Sequence, residues 1–150
     1  MKKTGLIITG LLSGMFFFSA KAQDYKMGLG ARFSSRAALV NTSISFKYFF
    51  NESTAAEALF CVTDPFALGL LVEQHKPVFT KGFNFFYGGG AYAGFSGTRR
   101  AGLHGIAGLD YKLPMIPFNL SIDWKPELTL IKEFSFEPAA LAVSARFTIK

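Results

Sequence analysis

One cysteine, Cys61, stands in a chain of 150 residues, so no internal disulfide can staple it. Beside Leu59, Phe60 and Val62 the thiol reads as a small apolar filler. Histidine is almost as scarce, with only His75 and His104. His75 lies two residues from Glu73, but two side chains do not make a metal site, which normally takes three or four ligands. Neither a metal nor a cofactor is expected. Charged residues make up 17% of the chain and its basic residues are scattered, which speaks against nucleic-acid binding. After residue 22 no apolar run reaches the roughly 18 residues that a membrane-spanning helix needs, and helical spans are excluded.

The N-terminus has a logic of its own. Lys2 and Lys3 precede an apolar run from Gly5 to Phe18, and Ser19-Ala20-Lys21-Ala22 supplies a small-x-small cleavage site. This is the pattern of a secretory signal peptide over residues 1–22, leaving residues 23–150 as the mature domain. Cleavage removes three lysines and lowers the formal charge from +6 to +3.

What the chain has in quantity is phenylalanine and glycine, 18 and 15 residues, within a composition that is 50% hydrophobic. They are arranged with period two. Phe83 to Phe95, FNFFYGGGAYAGF, places Phe83, Phe85, Tyr87, Ala91, Ala93 and Phe95 on one face and Asn84, Phe86, Gly88, Gly90, Tyr92 and Gly94 on the other. A strand that crosses a bilayer needs about 9–11 residues, with aromatic groups at its two interfaces, and this segment has both. Weaker copies of the pattern give eight strands, about residues 25–33, 40–50, 55–63, 66–74, 83–95, 102–112, 118–130 and 138–150. The seventh bends or bulges at Pro126. The expected fold is a closed, all-β, eight-stranded antiparallel up-and-down barrel spanning a membrane.

In that arrangement the polar face turns inward. Lys26, Arg32, Lys47, Glu57, Glu73, His104, Asp110, Lys112, Asp123, Lys125, Glu127 and Arg146 are assigned to the lumen as a mixed-sign network. Eight strands enclose a space just wide enough for side chains to fill, so a packed plug is expected and not a pore. Tyr48, Phe83, Phe95, Tyr111 and Trp124 are assigned to the lipid interfaces.

Phe46-Lys47-Tyr48-Phe49, Ala56-Glu57-Ala58, Phe86-Tyr87-Gly88-Gly89-Gly90-Ala91, Gly105 to Lys112 (GIAGLDYK) and Ser121 to Pro126 (SIDWKP) carry a resemblance across the mature chain. The chain resembles the small outer-membrane β-barrel proteins of the Bacteroidota, Gram-negative barrels similar in architecture to the OmpA-like and OmpX-like ones. The resemblance implies an outer-membrane location with both termini periplasmic, insertion by the barrel assembly machinery, and no catalytic motif. Barrels of this class usually end on an aromatic residue, whereas this chain ends Phe147-Thr148-Ile149-Lys150.

A non-enzymatic, structural or envelope-stabilising role as a monomer is therefore the expectation, with outer-membrane lipid as the surroundings. The connection Ser96–Ala101 carries Arg99 and Arg100, which are expected to pair with lipopolysaccharide phosphate. Three other functions fit the pattern less well. A lipid-directed hydrolase would need His104 beside Ser96 or Ser121 and an orienting acid. An adhesion protein would carry long loops, and the outward ones assigned here, Ser34–Ala37, Thr63–Pro65, Ser96–Ala101 and Ile131–Glu137, are short. A soluble lipocalin-like carrier would turn the apolar faces inward and the charged ones to water.

Overall fold

The computed structural model describes residues 24–34, 42–62, 66–95 and 100–150. The expected signal peptide, Val40, Ser96 and Arg99 lie outside them. Ten strand segments are present: β1 Met27–Ser34, β2 Ser43–Phe49, β3 Thr54–Cys61, β4 Ala67–Pro77, β5 Phe83–Gly94, β6 Arg100–Lys112, β7 Phe118–Trp124, β8 Glu127–Ile131, β9 Ser135–Glu137 and β10 Leu141–Ile149. Each of β1 to β6 pairs antiparallel with the next, β6 continues to β7 and β8, and β10 bridges β7 back to β1. The result is a closed eight-stranded up-and-down barrel, in which β7 with β8 and β9 with β10 form the last two staves.

Those two staves are broken for a local reason. Pro126 has no N–H to donate to the ladder. Pairing is carried through the break by Lys125 N–H to Ala140 O at 2.8 Å and Gly105 N–H to Pro126 O at 3.1 Å. The indole N–H of Trp124 donates to Pro138 O at 2.5 Å and ties the two breaks together. Of residues 131–137, read from the sequence as a loop, 132–134 connect two strands and the rest belong to a hairpin. Glu127, Leu128 and Thr129 pair with Glu137, Phe136 and Ser135, and the chain reverses at Lys132, whose φ is 87°.

The fourth strand is also longer than its pattern suggested. It runs on through His75 and Lys76 to Pro77, opposite Phe86, Phe85 and Asn84. His75 N–H donates to Ser53 O at 2.7 Å, and outside the wall the Gln74 amide reaches Thr54 Oγ1 at 2.9 Å.

Burial alternates strictly along β7 and β10, and the buried face is the polar one. Leu29, Phe33, Ile44, Phe46, Leu70, Val72, Leu103, Leu120, Ile122, Val143 and Phe147 all face out and are exposed. Arg32, Lys47, Glu57, Glu73, Asp123, Lys125 and Arg146 all face in and are buried. The lipocalin-like alternative is thereby reversed: charge fills the centre and apolar groups cover the outside.

The narrow radius depends on inward glycines. A Cβ at Gly90 would lie 1.8 Å from Leu70 O, and one at Gly30 would lie 1.9 Å from Ala145 O. No side chain fits there without separating the strands.

Candidate functional site in the barrel interior

Near the end where β1 begins and β10 ends, the terminal end, cross-strand register brings Lys47 directly opposite Glu57. Lys47 Nζ lies 2.6 Å from Glu73 Oε2 and 3.8 Å from Glu57 Oε2. The partner of Glu57 comes from the far side of the closure. Arg146 on β10 stands opposite Gly30 on β1, which in turn faces Ser45 on β2. With nothing at position 30 to obstruct it, the guanidinium crosses β1, donating from Nε to Ser45 Oγ at 2.6 Å and from Nη2 to Glu57 Oε1. Its Nη1 turns the other way, to Ser121 Oγ at 2.9 Å. Ser45 Oγ also donates to Glu57 Oε1.

Still nearer the terminal end, His75 lies between two carboxylates. Its Nε2 is 3.0 Å from Glu73 Oε2 and its Nδ1 is 3.3 Å from Asp110 Oδ2. The imidazole stacks on Phe86 at 5.2 Å between centroids, and Phe49 meets it edge-on at 4.9 Å. Tyr25, just before β1, packs edge-on against Phe49 at 5.2 Å, so aromatic rings cover this mouth of the lumen.

In the other half, Arg32 Nη2 lies 2.5 Å from Asp123 Oδ1, and Lys125 Nζ 2.5 Å from Glu127 Oε1. His104 stands opposite Gly90, and across that bare position its Nε2–H donates to Leu70 O at 3.0 Å. The tautomer is thus protonated on Nε2. Leu59, Cys61, Ala67, Leu71, Tyr92 and Ile106 pack the rest of this half. Among the described residues the interior holds four Lys/Arg side chains, Arg32, Lys47, Lys125 and Arg146, against five carboxylates, Glu57, Glu73, Asp110, Asp123 and Glu127.

Two residues assigned to the lumen are not in it. Lys26 is exposed, and its Nζ lies 5.7 Å from the ring centroid of Tyr48 on the outer wall. Lys112 is half-buried at the rim, where its Nζ donates to Leu113 O at 2.8 Å and Ile116 O at 3.0 Å. Both occupy inward-parity positions, but at the end of a strand a long side chain can bend back to water. Conversely, His75, Ser45, Ser121 and Asn119 are buried members that did not enter the expected set. Parity was the available signal, since His75 continues the inward series of Glu73.

Ser121 and His104 do not form a nucleophile–base pair: the hydroxyl is held by Arg146 and the imidazole Nε2 by Leu70 O. Among the described residues no group of three His, Cys, Asp or Glu side chains is arranged to hold a metal. Of the expected interface aromatics, Phe83 and Tyr111 stack at 4.3 Å, and Trp124 is exposed on β7. Tyr48 lies on the outer face of β2, and Phe95 is exposed just past β5. Arg100 opens β6, with Nη2 3.6 Å from Glu133 Oε1 on a partly exposed surface.

No family model, curated protein or solved structure matches this chain.

Proposed function

We propose that the protein is an integral outer-membrane barrel of the small kind it resembles among the Bacteroidota, exported by its N-terminal signal and serving a structural, envelope-stabilising role without catalysis. The observation that carries this reading is the inversion of polarity across one sheet. Large apolar side chains cover the outside of every stave, while the ion pairs of Arg146, Lys47 and Arg32 are enclosed. In water such an exterior would drive association; in hydrocarbon it needs no cover, and closure leaves no unpaired backbone edge. Because Arg146 and its partners span the interior, the barrel works as a wall element and not as a diffusion channel.

Both termini then lie in the periplasm, the barrel assembly machinery inserts the chain, and a monomer suffices. Arg100, which opens β6 at the opposite end, then lies at the lipopolysaccharide leaflet, and the Arg99-Arg100 pair of the sequence is read as binding its phosphates.

The test is fractionation of the expressed protein, followed by gel mobility in detergent with and without boiling. An outer-membrane product whose mobility changes on heating is expected. A water-soluble monomer without such a change would overturn the reading.

A further inference from the structure

The described parts of the two rims differ in charge. Among the described residues the terminal rim carries five lysines, Lys26, Lys76, Lys81, Lys112 and Lys150, against Asp24 and Glu52. The described part of the opposite rim is balanced, with Arg100 and Lys132 against Glu133 and Glu137. Lys112 is engaged by backbone carbonyls, but Lys26 and Lys76 lie along the outer wall, each Nζ 5.7 Å from the centroid of an outward tyrosine, Tyr48 and Tyr87. Their apolar stems run over aromatic surface and their ammonium groups sit at its edge, the pose of a lysine at a boundary between hydrocarbon and water.

The turn between β4 and β5 adds an independent observation. Phe79 has a φ of 59°, a conformation that a bulky side chain rarely adopts, and it is 88% exposed. Its ring meets Phe83 edge-on at 6.5 Å, and Phe83 continues the apolar wall by stacking on Tyr111. The turn thus holds an exposed apolar ring, in a conformation that costs a bulky residue energy, between Lys76 and Lys81 in the chain.

We infer that the β4–β5 turn, through Lys76, Lys81 and Phe79, binds the headgroup of an anionic phospholipid in the leaflet around the terminal rim. Continuity of the turn with the apolar wall favours a lipid over a soluble acidic protein, which would meet the lysines from above and leave Phe79 uncovered. The inference rests on the membrane-spanning reading above.

Native mass spectrometry of the purified protein, in neutral detergent with equal amounts of phosphatidylglycerol and phosphatidylcholine, tests it. The intact protein should retain phosphatidylglycerol preferentially, each lysine contributing about five-fold. K76Q/K81Q should lose the preference, and K76R/K81R should keep it. Equal retention of the two lipids, or a preference unchanged in K76Q/K81Q, overturns the inference. So does a lysine-dependent preference for added lipopolysaccharide over phosphatidylglycerol, which would assign this rim to the other leaflet. Heat-dependent mobility is read on the same samples: its absence removes the membrane reading and this inference together, whereas a normal shift without lysine-dependent retention removes this inference alone.

Discussion

Arg146 and Glu57 are 89 residues apart in the chain and lie on β10 and β3, with β1 and β2 between them, yet the Nη2 of one donates to the Oε1 of the other. The bond spans two staves because Gly30 leaves the intervening surface bare. Both groups are fully enclosed, so removing Arg146 leaves Glu57 a buried charge whose remaining cation, Lys47, lies at 3.8 Å and is already engaged by Glu73.

Arg146→Met is therefore expected to destabilise the folded barrel by about 3–5 kcal/mol, read as a shift of the urea midpoint in lipid vesicles. Glu57→Leu in the same chain should recover part of that loss, because the pair can be replaced by apolar packing but not halved. A double variant less stable than both single ones would contradict the pairing.

Glycines on the two faces should respond oppositely. At Gly90 a Cβ meets Leu70 O at 1.8 Å, whereas at the outward Gly105 the nearest atom is Pro126 Cγ at 3.7 Å. Gly90→Ala is expected to abolish or strongly reduce the heat-modifiable form, and Gly105→Ala to leave it intact. Equal yields from the two would refute the close approach of β4 and β5.

His75→Phe keeps a ring against Phe86 but removes both nitrogens from Glu73 and Asp110. A loss of about 1–3 kcal/mol is expected because each carboxylate loses its contact with the imidazole, measured by urea unfolding. No change in midpoint would mean that the histidine only fills space.

Cys61 is fully buried between β2 and β4. Its thiol should resist a maleimide reagent in the folded barrel and react after boiling, read as a mass increase. Ready labelling of unheated protein would place the thiol outside the packed interior.

Trp124 is the single tryptophan and points outward. In vesicles its emission should be quenched by lipids brominated on their acyl chains and little by aqueous iodide. The reverse ranking would argue against a lipid-facing wall.

The strands and their faces were legible because burial on one side only imposes a period of two, and a one-residue slip would expose Lys47 and Glu57 together. Partners beyond adjacent staves were not legible. That Arg146 reaches Glu57 depends on the register of three successive pairings and on the bare position 30. His75 was missed because Pro77 resembled the start of a connection. In the structure Pro77 is the last residue of β4, a strand end where a missing N–H costs least. Residues 131–137 hid a hairpin because β9 has only three residues, too few for alternation to emerge.

The pairing of β1 with β10 joins Met27 to Ile149 and makes the final strand the keystone of the ring. Before it docks, Glu57 lacks Arg146 and the sheet is still an open trough, so its ions can keep their hydration. Docking of β10 in that trough would dehydrate the charges, capture the guanidinium and remove the last free edge in one step. Contacts between such distant parts of a chain form slowly. Barrel formation should accordingly be limited by one late, concerted event, and a nascent chain lacking only β10 would remain water-filled and uncommitted.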